Sequence, residues 1–172
     1  KTTLTQILCL ILGCLGQRAV SLSIDDLYLS YAERCELKRQ DPRLIWRGPP
    51  GTHDVSLGVQ TLSALKRCDA NQSVLIPQFD KSLWGGEGDR IESKPVNSPT
   101  IVLFEGWFIG AQPIANDTIC DPNFQFPAPI VSTEDRKFAI DCNQRLAPYL
   151  PLWRLMDDLI VLQPQDYRFS LQ

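Results

Sequence analysis

Apolar positions along the chain follow two kinds of pattern. From Thr2 to Leu15 they recur every three or four residues, which is the spacing of one helical face. The run Thr100–Phe104 is almost entirely apolar and is followed by the acidic Glu105, which predicts a buried strand. Short apolar strands connected through helices favour a parallel sheet covered on both faces.

The same two patterns divide the chain into predicted elements. The predicted helices span residues 2–15, 25–40, 54–67 and 132–146. The predicted strands span residues 19–24, 74–76, 100–104 and 158–162. Glycine, proline and polar residues predict loops at 47–51, 80–99 and 113–129. The expected fold class is therefore α/β, a three-layer α/β/α arrangement with a mainly parallel sheet.

Composition favours one globular domain, and its charge balance does not exclude a small anionic ligand. The chain has 172 residues, of which 44% are hydrophobic. It carries 17 Lys and Arg against 20 Asp and Glu, a net charge of −3, whereas nucleic-acid-binding domains usually carry an excess of positive charge. The apolar run 4–15 is too short to span a bilayer as a helix. We therefore expect neither nucleic acid nor a membrane as partner.

The six cysteines leave two interpretations open. None forms a Cys-x-x-Cys pair, and the single histidine, His53, has no cysteine nearby in sequence, so a zinc site is not expected. Scattered thiols in a chain of this size are typical of a reduced cytosolic protein. The alternative is a secreted disulfide module, since Lys1 precedes a short apolar stretch and Asn71 and Asn116 begin glycosylation sequons.

The start of the first predicted helix resembles the end of a phosphate-binding loop. Lys1, Thr2 and Thr3 match the Lys-Ser/Thr part of that motif, without its glycines. In such loops the lysine reaches the terminal phosphates, the hydroxyl binds magnesium, and the helix N-terminus adds backbone donors. The match is short, so its interpretation depends on residues elsewhere in the chain.

Two carboxylates follow predicted strands directly. Asp25 follows the strand 19–24, where it is positioned to accept the proton of a substrate hydroxyl, while its neighbour Asp26 is interpreted as a helix cap. Glu105 follows the strand 100–104, an arrangement that organises magnesium in nucleotide-binding sheets. The carboxyl ends of parallel strands form the ligand-binding edge of such sheets, so a joint site is expected there.

Two loops carry cations flanked by glycine and are candidates for binding the substrate. The first contains Arg47, His53 and Asp54, and the second contains Lys81 and Arg90. Such cations suit a carboxylate or a phosphate, and the histidine can donate a hydrogen bond. Ordinary solvated loop charge is an equally consistent interpretation of these residues.

The ordered series of motifs resembles the D-glycerate 3-kinases of plants and cyanobacteria. These enzymes belong to the wider group of uridine kinase, phosphoribulokinase and pantothenate kinase. The matching segments are Lys1-Thr2-Thr3, Ser23–Tyr28, Arg47–Asp54, Phe79–Ser82, Gly88–Arg90, Phe104–Trp107, Tyr149–Trp153 and Tyr167-Arg168. The resemblance extends through nearly the whole chain.

The resemblance implies a P-loop NTPase fold and an activity. It implies ATP- and Mg²⁺-dependent phosphorylation of D-glycerate to 3-phosphoglycerate in photorespiratory carbon salvage, in the cyanobacterial cytoplasm or the chloroplast stroma. By similarity, Asp25 matches the catalytic carboxylate, Asp54 the carboxylate that binds substrate hydroxyls, and Glu105 the acidic residue of the metal site. A kinase for another small hydroxylated metabolite and a non-catalytic nucleotide-binding relative are the alternatives.

The remaining expectations concern the residues at the phosphates, the residues that bind the substrate, and the extent of the domain. Lys1 and Thr2 are expected at the phosphates, with Thr3 beside them. Lys81 and Arg90 are candidates for the glycerate carboxylate because of their charge and loop position. The other candidate substrate residues are Tyr28, Arg47 and His53. Residues 1–172 are expected to form one P-loop kinase domain that, against the family pattern, lacks the first strand, the glycine-rich half of the phosphate loop and the C-terminal lid.

Overall fold

The computed structural model describes residues 2–44, 46–69 and 72–163. Lys1, a predicted catalytic and nucleotide-binding residue, lies outside them, as do Tyr167 and Arg168. The helices are α1 Thr2–Cys14, α2 Tyr31–Gln40, α3 Val55–Lys66, α4 Asn116–Ile119, α5 Thr133–Gln144 and α6 Leu150–Trp153. The strands are β1 Ala19–Ser23, β2 Ser73–Asp80, β3 Asp89–Asn97 and β4 Ile101–Glu105.

The centre of the fold is a parallel pair of strands, β1 and β4, and the α/β class is therefore as predicted. Their register runs from Ala19 opposite Ile101 to Ser23 opposite Glu105, so both strands end at the same level. Beyond β1 the chain enters the core at once, because Ile24 and Leu27 are fully buried. Burial of such aliphatic side chains is the main force that fixes the position of a strand end.

The second sheet is an antiparallel hairpin of β2 and β3, and here the predicted loop 80–99 is wrong. β3 pairs with β2 from Asp89 opposite Asp80 to Asn97 opposite Ser73. Most β3 side chains are half-buried or exposed, which lets a strand with many polar residues and Pro95 form at the edge of the fold. Its stability comes from pairing with β2, which a local pattern does not reveal.

The predicted helix 25–40 is two separate elements. A single 3₁₀ turn, Ile24–Leu27, is followed by an extended residue, Tyr28, and then by α2. Ser30 ends the extended stretch because its side chain accepts from the backbone N–H of Glu33, whose own side chain accepts from the backbone N–H of Ser30. The interruption turns the Tyr28 side chain towards His53.

The C-terminal part of the chain departs from the predictions in one further place. Residues 158–162, predicted as a strand, form no strand, and Ile160 is 84% exposed. An apolar run becomes a strand only where a partner supplies backbone hydrogen bonds, and within the described residues none pairs with it. The predicted loop 113–129 is irregular apart from the single turn α4.

The state of the cysteines and the length of the helices test two expectations from the sequence, those on disulfides and on membrane spans. All six cysteines lie in the described part of the chain and are free, so the prediction of a disulfide module is wrong. Among residues 2–44, 46–69 and 72–163, no helix combines the length and hydrophobicity needed to cross a membrane.

Candidate functional site

The first residues of α1 meet the end of β4. The Thr2 hydroxyl donates to Glu105 Oε1 over 2.7 Å, although the two residues are 103 positions apart. Glu105 is buried, whereas Thr2 and Thr3 are exposed. The structure therefore brings together Thr2 and Glu105, the two residues that the sequence predicts at a metal.

Asp25 lies two residues beyond the end of β1, in the 3₁₀ turn that follows Ser23, and Ser23 is the residue opposite Glu105. Its backbone N–H donates to the Ser23 hydroxyl, which caps the 3₁₀ turn. Its carboxylate accepts from Lys81 Nζ over 2.6 Å. Burial, the charge of Asp25 and a hydrogen bond to its carboxylate raise the pKa of the Tyr28 phenol well above its usual range. A predicted base and two predicted substrate residues, Lys81 and Tyr28, are thus in contact.

Asp26 performs the capping role expected for it and also links the two sheets. One carboxylate oxygen accepts from the backbone N–H of Ser23, and the other accepts from the backbone N–H of Phe79 in β2. Burial raises the pKa of Asp26, and the two N–H donors act against this shift. The position of the hairpin relative to Asp25 therefore depends on the neighbouring carboxylate.

Asp54 and Arg90 form a second pair of predicted substrate residues. Asp54 Oδ1 accepts from the backbone N–H of Leu57 and so caps α3. Asp54 Oδ2 lies 3.0 Å from Arg90 Nη2, and Arg90 Nε donates to the carbonyl of Tyr28 over 2.9 Å. Both side chains are partly exposed, so they can also reach a ligand.

Arg47 supports the tip of the hairpin. Its guanidinium donates to the carbonyl of Glu87 and lies over the ring of Phe79, 5.6 Å from the ring centroid. The tip passes close to these groups at Gly88, which has φ +73°. The contacts of Arg47 in this structure are therefore structural ones, and it lies one side-chain layer from Tyr28, because the Phe79 ring packs edge-on against Tyr28.

His53 is buried in an aromatic cluster beneath Asp25. Its ring stacks on Tyr28 with centroids 4.4 Å apart, and Nδ1 lies 2.9 Å from the Tyr149 hydroxyl. Burial lowers the pKa of His53 to about 4, against a smaller opposing effect of Asp25. Sequence reasoning assigned no role to Tyr149; the only local signal was the aromatic and proline-rich segment around it.

The donor atoms near Thr2 fit a magnesium ion. A hydroxyl and a carboxylate oxygen are hard donors, and protein Mg²⁺ sites commonly use one or two carboxylates together with phosphate oxygens and water. A cavity of about 590 Å³ adjoins this pair, and Ser23 and Asp26 are also in its lining. In the described part of the chain, no group of three or more His, Cys, Asp and Glu side chains is placed to hold a metal.

Comparisons with known proteins agree with this architecture. The chain is 32% identical over its whole length to a chloroplastic D-glycerate 3-kinase of Arabidopsis thaliana, of which it spans 38%. It is also 32% identical over its whole length to an uncharacterized kinase of Schizosaccharomyces pombe, of which it spans 65%. No family model matches the chain.

The solved structure of a D-glycerate 3-kinase from Cryptococcus neoformans has the same fold. It superposes with a TM-score of 0.77 at 34% identity, over 90% of this chain and 57% of that one. The site geometry, the fold and the identities over the whole chain agree. The chain is therefore a homologue of D-glycerate 3-kinase in the P-loop kinase family.

Proposed function

We propose that the protein is an ATP-dependent kinase that phosphorylates D-glycerate to 3-phosphoglycerate. The observation that carries the proposal is the contact of 2.7 Å between the Thr2 hydroxyl and Glu105, with Asp25 at the end of the adjacent parallel strand. A metal and phosphate site and a base then share one sheet edge. The identities to two D-glycerate 3-kinases support the choice of reaction.

The nucleotide binds at the N-terminus of α1. The backbone N–H groups of its first turn, which includes Thr3, have no partners within a helix and favour an anion there. Lys1 would neutralise the terminal phosphates, and Thr2 and Glu105 would hold Mg²⁺. When bound, the metal neutralises the negative charge that develops between the β- and γ-phosphates.

The acceptor hydroxyl binds next to Asp25. As the hydroxyl oxygen bonds to the γ-phosphorus, the bond from phosphorus to the bridging oxygen breaks, ADP leaves with that electron pair, and the hydroxyl proton passes to Asp25. Positioning and electrostatic stabilisation supply most of the rate in such transfers. Lys81, already 2.6 Å from Asp25, is within a side-chain movement of a substrate carboxylate held beside that hydroxyl.

The other predicted substrate residues surround the same position. Arg90 offers a second cation, and Asp54 accepts from a substrate hydroxyl. Tyr28 closes the floor of the site between Asp25 and His53. The proposed setting is the return of photorespiratory glycerate to the carbon cycle, in a cyanobacterial cytoplasm or a chloroplast stroma.

The test is ADP release by the full-length protein with magnesium-ATP. D-glycerate, L-glycerate, uridine, pantothenate and ribulose 5-phosphate are compared as acceptors, with chelation of the metal as a control. We expect turnover with D-glycerate alone and its loss on chelation. Turnover only with another acceptor would assign the chain to a different kinase reaction, and nucleotide binding without any turnover would support a binding role.

A further inference from the structure

The carboxylate proposed as the base and a cation proposed to bind the acceptor are in contact with each other. The Asp25 carboxylate accepts from Lys81 Nζ over 2.6 Å. The Asp25 side chain is 22% exposed and that of Lys81 is 57% exposed, so a ligand in solution can reach both groups. An anion that binds to Lys81 therefore has to compete with Asp25 for the same ammonium group.

The backbone next to both partners is held, so the two groups stay close to each other. Asp26, the residue after the base, accepts from the backbone N–H of Phe79, two residues before Lys81. On the other side of Lys81, the backbone N–H and the hydroxyl of Ser82 donate to Asp80 Oδ1 and form a tight turn. The stem of a lysine is a flexible chain of four carbons, so the ammonium can still move while its backbone is fixed.

The contact with Lys81 opposes the role proposed for Asp25. In the proposed transfer, Asp25 takes the proton of the acceptor hydroxyl. A cation beside a carboxylate stabilises its charged form, which makes the carboxylate a weaker proton acceptor. The efficiency of a general base depends on its affinity for the proton. Lys81 therefore weakens the proposed base for as long as the two side chains remain paired.

The second cation of the proposed acceptor site is held more firmly than Lys81. Arg90 pairs with Asp54 over 3.0 Å, and its Nε also donates to the carbonyl of Tyr28 over 2.9 Å. Its side chain is 28% exposed, about half the value for Lys81. The ammonium of Lys81 has no such second hydrogen bond among the described residues. Lys81 is therefore the cation that can change partners when an anion binds.

We propose that Lys81 is a specificity-determining residue: the anionic group of the acceptor draws Lys81 away from Asp25, and this exchange of partners releases Asp25 to act as the base. The inference rests on the proposed function and concerns the same site. An uncharged acceptor of the same shape offers Lys81 no partner and leaves the pair intact. A bound anion acts in the same direction through its own charge, because a like charge beside a carboxylate favours the protonated form. The charge of the acceptor then determines the rate of transfer as well as binding.

The first experiment measures phosphoryl transfer in single turnovers of the full-length protein at saturating acceptor. It compares D-glycerate with D-glyceramide, which keeps both hydroxyls and replaces the carboxylate by an uncharged amide. In the wild type, the rate constant should be about fivefold lower with D-glyceramide, the worth of one exposed ion pair. In Lys81→Met, the rate constant with D-glyceramide should rise about fivefold, to the value for D-glycerate. A residue that only binds the acceptor or only supports the fold would not speed up any transfer when it is removed.

Two further variants serve as controls for this comparison. Lys66→Met breaks a similar exposed pair, in which Lys66 Nζ lies 2.7 Å from Asp157, and should change the rate constant for neither acceptor. Lys81→Arg keeps a cation at the position and should restore most of the discrimination between the two acceptors. The proposal is wrong if the wild type transfers to both acceptors at the same rate, or if Lys81→Met leaves the ratio of the two rate constants unchanged.

The second experiment measures binding without transfer, by calorimetry with D-glycerate and a non-hydrolysable ATP analogue. Asp25→Asn removes the partner of Lys81, so Kd for D-glycerate should fall about fivefold. In a Lys81→Met background the same substitution should give a smaller gain, and equal gains in both backgrounds would refute the exchange. If D-glycerate neither binds nor is phosphorylated, the proposed function fails and the exchange fails with it. If D-glycerate is phosphorylated while these ratios stay unchanged, only the exchange fails.

Discussion

Two regions of the molecule contribute charged groups to the same site in different ways. The strand-end region comprises Thr2, Asp25 and Glu105, which follow or face the parallel strands β1 and β4. The hairpin region comprises β2, β3 and the turn between them, with Lys81 and Arg90. In the first region Ile24 and Leu27, on either side of Asp25, are fully buried, whereas the Lys81 side chain in the second is 57% exposed.

The difference separates the groups that we propose to react from the groups that we propose to bind the acceptor. Core packing holds the backbone of the strand ends, so their carboxylates have little freedom to shift. The hairpin is attached to them through side chains, chiefly Asp26 at Phe79 and Lys81 at Asp25. We therefore expect substitutions at the strand ends to affect the chemical step, and substitutions in the hairpin to affect acceptor binding and local stability.

The largest expected effect is at Asp25, which tests whether the strand-end region carries the chemistry. Asp25→Asn cannot accept the hydroxyl proton, so kcat should fall about a thousandfold, within the range of general-base catalysis. Nucleotide affinity, measured by calorimetry, should change little. The matched control is Asp158→Asn at an exposed position. A kcat within twofold of wild type would remove Asp25 from the mechanism.

The next largest effect is a loss of folding stability at acidic pH, which we expect from the buried ring of His53. The pKa of His53 is lowered to about 4 from an ordinary 6.5, so the unfolded chain takes up a proton first as the pH falls. The stability from neutral His53 is present above pH 6.5 and is lost towards pH 4, by about 3 kcal/mol. Urea unfolding at several pH values should show this loss in wild type, and less of it in His53→Gln. Equal pH dependence in both proteins would contradict a buried neutral ring.

Glycine substitutions in the hairpin turn test how tightly that region is attached. Gly88 and Gly85 both have positive φ, +73° and +67°, so alanine costs about 1 kcal/mol at either position. A methyl group at Gly88 would also meet the Phe79 ring and the Arg47 guanidinium, whereas at Gly85 nothing lies within 4 Å. Gly88→Ala should therefore cost about 2 kcal/mol more in thermal or urea unfolding. Equal losses would mean that the turn adjusts freely.

The smallest expected effect on stability is at Lys81. An exposed ion pair contributes at most about 1 kcal/mol, so Lys81→Met should leave the free energy of unfolding nearly unchanged. KM for D-glycerate should nevertheless rise about tenfold. The control is Lys66→Met, which breaks a similar pair with Asp157 far along the chain. If both variants have the same KM, Lys81 does not bind the acceptor.

Sequence patterns predicted the strand-end region because its signals are local. The apolar run of β4 and the spacing in α1 each reveal their own element, within one or two residues of the observed bounds. Parallel strands end at a common edge, so the sequence alone predicts that Asp25 and Glu105 lie near each other at that edge. The contact of Thr2 with Glu105 agrees with that expectation, and its chemical role stays a prediction.

The hairpin and the aromatic cluster depend on partners that are distant in sequence. β3 contains charged residues and Pro95, and it is a strand because β2 supplies the hydrogen bonds. The reverse holds at 158–162, where an apolar pattern has no partner strand among the described residues. Tyr149 and His53 are 96 positions apart, and nothing near either residue indicates that their side chains meet.

The two hydrogen bonds of Asp26 affect how the hairpin can differ between related kinases. Both of its oxygens are committed, one to the turn that presents Asp25 and one to the strand that presents Lys81. A hairpin exchanged between relatives to change acceptor preference would thus be aligned by a carboxylate outside the exchanged segment. Transplanting β2 and β3 together should preserve that alignment, because the link is to the backbone N–H of residue 79 and not to its side chain. The hairpin is in this sense a replaceable module with a fixed point of attachment.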